Sequence, residues 1–229
     1  MNKFTSLFVI LLLALPTVTP AHDDDVLFDV IKLQVQVEAQ VPNDRMQVIL
    51  AAEKEGTDPQ AISLTINQTM RWALDIIKQY PDIDSNSGNY RTTPIYNKQT
   101  ISAWRSVQEI VLESESISKL SELTGTLQQR LQVRNMSFSP SKGQADQFEA
   151  RLVDEGMLAF RARAEQLRKH MNGRQYRIIE IDVNTGRQHP PVRYETSAVR
   201  SLSMDAAPPA VEAGTSELTV TVSGSVQYF

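Results

Sequence analysis

Ile31-Lys32-Leu33-Gln34-Val35-Gln36-Val37-Glu38-Ala39-Gln40-Val41 alternates almost perfectly between apolar and polar side chains. A period of two places Ile31, Leu33, Val35, Val37, Ala39 and Val41 on one side and Lys32, Gln34, Gln36, Glu38 and Gln40 on the other, the pattern of a strand with one buried face and one wet face. Such a face has to be covered, so the rest of the chain must supply more strands and something to pack on them. Pro42-Asn43-Asp44 follows with turn chemistry, and Met46 to Ala52, with Val48 and Leu50, reads as a returning strand. The expectation is an antiparallel hairpin.

Downstream, the period changes. Asp58 is a good N-cap and Pro59 suits the first helical position, where a missing amide costs nothing. Ile62, Ile66, Met70, Ala73, Leu74 and Ile77 then recur at helical spacing until Pro81 ends the run. Residues 83 to 96 favour strand, a loop at Asn97 to Gln99 follows, and Ile101 to Leu112 reads as the second arm of another hairpin. A shorter helix runs from Ser116 through Leu120, Leu123, Leu127 and Leu131, and Val133 to Ser139 alternates again. The order strand, strand, helix thus occurs twice, without matching residues between the two stretches.

Gln144 to Asn172 should be the longest helix, with Phe148, Leu152, Gly156, Phe160, Ala164, Leu167 and Met171 on one stripe. Acids lie early in it and bases late, which complements the helix dipole, and Gly173 is a natural stop. Tyr176 to Ile181 is a strand, residues 186 to 214 hold four prolines and argue a long mobile loop, and Glu217 to Tyr228 closes the chain as a strand. The fold class expected is α+β, a mostly antiparallel sheet with long helices packed on it.

The 229 residues carry 23 Lys and Arg against 27 Asp and Glu, a net charge of −4. That balance offers no broad footprint for nucleic acid. There is no cysteine, so disulfides, thiolate nucleophiles, zinc-thiolate sites and iron-sulfur clusters are excluded. Residues 1–21 carry Lys3, an apolar run from Leu7 to Leu15, and small residues at Thr19 and Ala21, which reads as a cleaved secretory signal and a periplasmic destination. The nine apolar residues are too few to span a hydrocarbon core of about 30 Å, and no second long apolar stretch follows, so no transmembrane segment is expected in the mature chain. An outer-membrane barrel is disfavoured, because Phe229 falls on the opposite side of the last strand from Leu218, Val220, Val222, Val226 and Tyr228.

The chain carries few reactive side chains in a recognisable arrangement. His170 and His189 have no second ligand at chelating spacing. Cleavage after Ala21 would leave His22 at a free amine, a pair suited to copper, and this stands as a minor alternative. No phosphate-binding glycine loop and no G-x-S-x-G elbow occurs. Glu113 with Glu115 and Asp82 with Asp84 are carboxylate pairs with nothing to show burial. Neither catalytic residues, nor a cofactor, nor a metal site is expected. Arg161, Arg163, Arg168 and Lys169 on the long helix, with Trp104, form the candidate interaction surface. Trp72 reads as core, whereas Trp104, on a strand face with Ser102, Ser106 and Gln108, either covers the far side of the sheet or sits in an interface.

Taken in order, the exported alternating strand, Pro42-Asn43-Asp44, Pro94-Ile95-Tyr96, Ile101-Ser102-Ala103-Trp104-Arg105-Ser106, Ala159-Phe160-Arg161-Ala162-Arg163-Ala164 and Val211-Glu212-Ala213-Gly214 resemble the bacterial SIMPL domain family across residues 22–229. Many members carry Gly-Tyr or Gly-Trp where this chain has Ala103-Trp104. The resemblance implies a periplasmic or secreted α+β protein, in some members assembled into large rings or linked to oxidative or envelope stress, with animal relatives that associate with a signalling kinase. It supplies no catalytic residues. The expected function is therefore non-enzymatic, acting through self-association or a protein partner in envelope or oxidative stress tolerance. The alternative is an enzyme or anion binder using a pocket between the sheet and the long helix, with Arg161 or Arg163 holding the ligand.

Overall fold

A computed structural model describes residues 28–186 and 212–229. The signal segment, His22, His189 and most of the proline-rich stretch lie outside the described residues. The elements run β1 (Val30–Pro42), β2 (Arg45–Gly56), α1 (Pro59–Ile77), β3 (Asp84–Asn97), β4 (Thr100–Ser114), α2 (Ile117–Leu127), β5 (Gln132–Ser139), α3 (Lys142–His170), β6 (Tyr176–Asn184) and β7 (Thr215–Tyr228). The α+β class is as expected, with every strand pairing antiparallel.

Two sheets form where a single one was expected. One has the order β1-β7-β6 and the other β3-β4-β2-β5. The hairpin anticipated between β1 and β2 does not exist: β1 pairs with β7 from Val30↔Gln227 to Pro42↔Thr215, and β2 pairs with β4 and β5. The reason lies in the link. Asn43, buried, donates its backbone N–H to the Gly214 carbonyl (3.1 Å) and its Nδ2 to the Ala213 carbonyl (2.7 Å), and its Oδ1 accepts from Ser216 Oγ (2.7 Å). Asp44 accepts from both the backbone N–H and the hydroxyl of Ser141, the N-cap of α3. The polar side chains after Pro42 bond to distant chain and carry it from one sheet into the other, satisfying groups that a tight turn would have satisfied locally. The hairpin expected from residues 83–112 is present as β3 and β4.

Each sheet has its own core. α1 and α2 cover the four-stranded sheet, where Met46, Val48, Leu50, Ile66, Ile110, Leu112, Leu120, Leu123 and Leu127 are buried. Asp58 caps α1 by accepting from Gln60 N at 2.8 Å, with Pro59 behind it. α3 covers the three-stranded sheet, burying Leu152, Phe160 and Ala164 against Val220, Val222, Val226 and Tyr228. It ends as expected at Gly173, whose φ of +72° suits glycine and whose N–H reaches back to the Arg168 carbonyl (3.1 Å). Two close approaches define how α3 seats. At Gly156 a Cβ would come within 2.8 Å of Val222 Cγ2, and at Gly224 it would collide with the Glu180 carbonyl and touch Phe160.

Candidate interaction surface

The helix–sheet interface under α3 is filled. Phe160 and Ala164 have no exposed surface, and the Tyr228 hydroxyl, at the sheet end of that interface, donates to the Ala164 carbonyl at 2.8 Å. Burial, then the neighbouring Tyr176 and Glu165, push the Tyr228 phenol above its ordinary value. What lies beside α3 is open cleft. One, of about 520 Å³, runs between the middle of β1 (Gln34, Val35, Gln36) and Ala159, Ala162, Arg163 and Gln166; another is bounded by Asp154, Met157, Leu158 and Arg161.

Those two clefts divide the basic residues that the sequence put on one surface. At about 100° per residue, Arg163 projects along the β1 flank of α3 and Arg161 along the opposite flank, with Arg168 on Arg161's side. Arg168 is already engaged, bonding Glu165 at 2.7 Å and the Gly173 carbonyl at 3.1 Å, and Arg163 donates to Gln166 at 3.2 Å. Arg161, Arg163 and Lys169 are exposed. The helix thus presents separate cations on different sides.

Trp104 belongs to neither flank. Ser106, Ile110, Leu112 and Ser114 define the core face of β4, and Trp104 lies on that face, half-buried at the margin of the core beneath the helices. It does not cover the far side, the face on which Val107 and Val111 lie. Trp72 is core-packed as expected, with the Arg130 guanidinium 4.7 Å over its ring. Beyond Trp104 the β3–β4 hairpin outruns β2, which ends opposite it at Gly56, and leaves Tyr96 and Ile101 exposed.

Sequence reasoning missed the uncovered face of the four-stranded sheet. There Arg45 pairs with Glu113, which also accepts from Gln47 (2.6 Å), while Glu53 takes both Arg105 (3.3 Å) and Arg134, and Arg105 reaches Glu55 at 2.5 Å. Arg134 is the extra residue of a bulge in β5, which turns it onto this face. Beside it, Asn89, Arg91, Val107, Glu109 and Arg134 line a recess of about 200 Å³. The alternation of Gln47, Ile49, Ala51, Glu53 and Glu55 was the available signal. At the sheet's end, Lys119 bonds Asp82 at 2.5 Å, and that bond with the charge attraction raises the lysine's pKa.

Among the described residues, no group of three or more His, Asp or Glu gathers as a metal site, and no helix is long and apolar enough to cross a membrane. Among the described residues, two antiparallel sheets, one covered on a face by α1 and α2 and the other by α3, define an α+β protein. The chain matches the SIMPL family, described as a protein of unknown function (DUF541), over residues 31–226, and belongs to it. None of the curated proteins matches it. Solved structures with partial likeness include a hydantoinase/carbamoylase family amidase from Burkholderia ambifaria (14% identity, 50% of this chain and 34% of that one, TM-score 0.28) and a putative amidohydrolase/peptidase from Burkholderia cenocepacia (13%, 46% and 28%, TM-score 0.26). The chain spans about a third of their length, and a likeness of that size carries no argument about activity.

Proposed function

We propose that this SIMPL-family chain is an exported, periplasmic protein without a catalytic step, that it works through protein surfaces by assembling with copies of itself, and that it contributes to tolerance of envelope or oxidative stress. The observation that carries the assembly reading is the set of open sheet edges: β1, β6, β3 and β5 each lie at an edge, with backbone groups that no described strand pairs. The filled interface beneath α3 supports a surface role over a ligand held between helix and sheet. Family membership and the apolar N-terminal run support the periplasmic setting.

Multi-angle light scattering across a hundredfold range of concentration tests assembly, with a mass above one chain expected; a strict monomer throughout overturns it. N-terminal sequencing of protein from a periplasmic extract should begin at His22. Deletion of the gene should sensitise the bacterium to peroxide or detergent, and survival equal to the parent strain under both would remove the stress role.

A further inference from the structure

Of the four edge strands, three are built in ways that discourage pairing. β3 contains Pro94 and two register irregularities, β5 is short and bulged at Arg134, and β6 has a bulge at Ile179. Bulges and proline are the usual protections of a sheet edge. β1 has none of them. It is 13 residues long, keeps uninterrupted register with β7, and has its only proline at the last position.

The apolar face of β1 is also unfinished. Its neighbour β7 buries Val220, Val222 and Val226 completely, whereas Ile31, Leu33, Val35, Val37 and Ala39 are only partly buried where they pack on that core. The polar face carries two charges, Lys32 and Glu38, and they sit symmetrically about Val35.

We propose that β1 is a self-pairing edge: a second copy of this chain adds its own β1 antiparallel, about a two-fold axis through Val35, making one continuous six-stranded sheet. This rests on the assembly reading above and names its interface. With Val35 opposite Val35, the register sets Lys32 opposite Glu38 twice, Gln34 opposite Gln36, Leu33 opposite Val37 and Ile31 opposite Ala39. A shift of the axis by one residue, to Gln36, pairs Lys32 with Gln40 and Glu38 with Gln34 and loses both charge pairs. Opposite charges directly across a strand pair stabilise it, and like charges destabilise it. The axis at Val35 falls at the cleft between β1 and α3, where Ala159 and Ala162 leave room for the partner's helix to approach on the same face. Because the same patch serves both copies, the contact closes as a dimer and does not propagate.

Three variants of the full chain test this, with circular dichroism confirming that each retains its fold. The chain has no cysteine, so Val35→Cys in mild oxidant should give a disulfide-linked dimer, reversed by reductant. Glu38→Lys, which sets Lys opposite Lys twice, should weaken dimerisation by about tenfold in sedimentation equilibrium, and Lys32→Glu combined with Glu38→Lys should restore it to within about twofold. Assembly that persists while Val35→Cys fails to cross-link overturns the interface and leaves the assembly reading standing. Cross-linking without any effect of Glu38→Lys overturns the charge pairing of Lys32 with Glu38 across the interface. A monomer at every concentration overturns both proposals.

Discussion

At the scale of single residues, Tyr228 shows how one polar atom is reconciled with a core. The side chain is 1% exposed, its ring packs 5.8 Å from that of Tyr176, and its hydroxyl finds the Ala164 carbonyl at the last turns of α3. Because burial favours the neutral phenol, its folded pKa lies above the ordinary value of about 10. The unfolded chain then loses its proton first as pH rises, so this group's contribution is fully present below about pH 10 and is lost on the way up through the folded pKa. Tyr228→Phe should cost about 1 kcal/mol at neutral pH, the worth of one hydrogen bond, and should flatten the fall in stability above pH 10. Urea denaturation at pH 7 and at pH 10.5 reads both effects; an unchanged alkaline slope would exclude Tyr228 as its source.

Within single elements, β7 depends on a residue chosen for what it lacks. Gly224 occupies the core-facing register between Val222 and Val226, paired with Ile181 just past the β6 bulge at Ile179, where the Glu180 carbonyl and the Phe160 ring leave no room for a methyl group. Gly224→Ala should therefore destabilise the protein by about 2 kcal/mol, the scale of overpacking a well-packed interior, with near-native secondary structure at 25 °C. Denaturant midpoints measure it, and an unaltered midpoint would mean that β6 yields freely. The alternation Leu218, Val220, Val222, Val226 and Tyr228 made the face of β7 legible, just as the stripe on α3 was legible, because side-chain direction is a local property of the backbone. Partner choice is different. Pro42-Asn43-Asp44 has the composition of a tight turn whether its polar groups bond to themselves or to Gly214 and Ser141, so the true partner of β1 could not be read beside it. The same limit applied to the surface residues: Arg161 and Arg163 look adjacent in sequence, yet 200° of helical rotation sends them to opposite flanks. The open face of the four-stranded sheet was missed because its ion pairs join residues far apart in the chain, such as Glu53 with Arg134.

Across the whole molecule, the two cores divide the chain unequally. Every residue of the core under α1 and α2 lies between Met46 and Phe138, a single uninterrupted stretch. The core under α3 takes β1 from one end of the chain and α3, β6 and β7 from the other, and cannot form until they meet. The first is therefore built from comparatively short loops, and the second requires closure over most of the chain, which is the slower and more costly event. The two meet at a few polar contacts around Asn43, Asp44 and Ser141. It follows that residues 44–140 alone should fold: expressed separately, they should show strand and helix by circular dichroism and one cooperative urea transition, with protected amides in β2 and β4. Residues 141–229 alone lack β1, leaving the β7 edge open, and should remain largely unfolded or aggregate. Adding a peptide of residues 28–43 to that second fragment should recover structure, since it returns the strand with which β7 pairs from Thr215 to Gln227. A first fragment without a cooperative transition would show that the polar junction, and not the continuous core, is what holds the four-stranded sheet together.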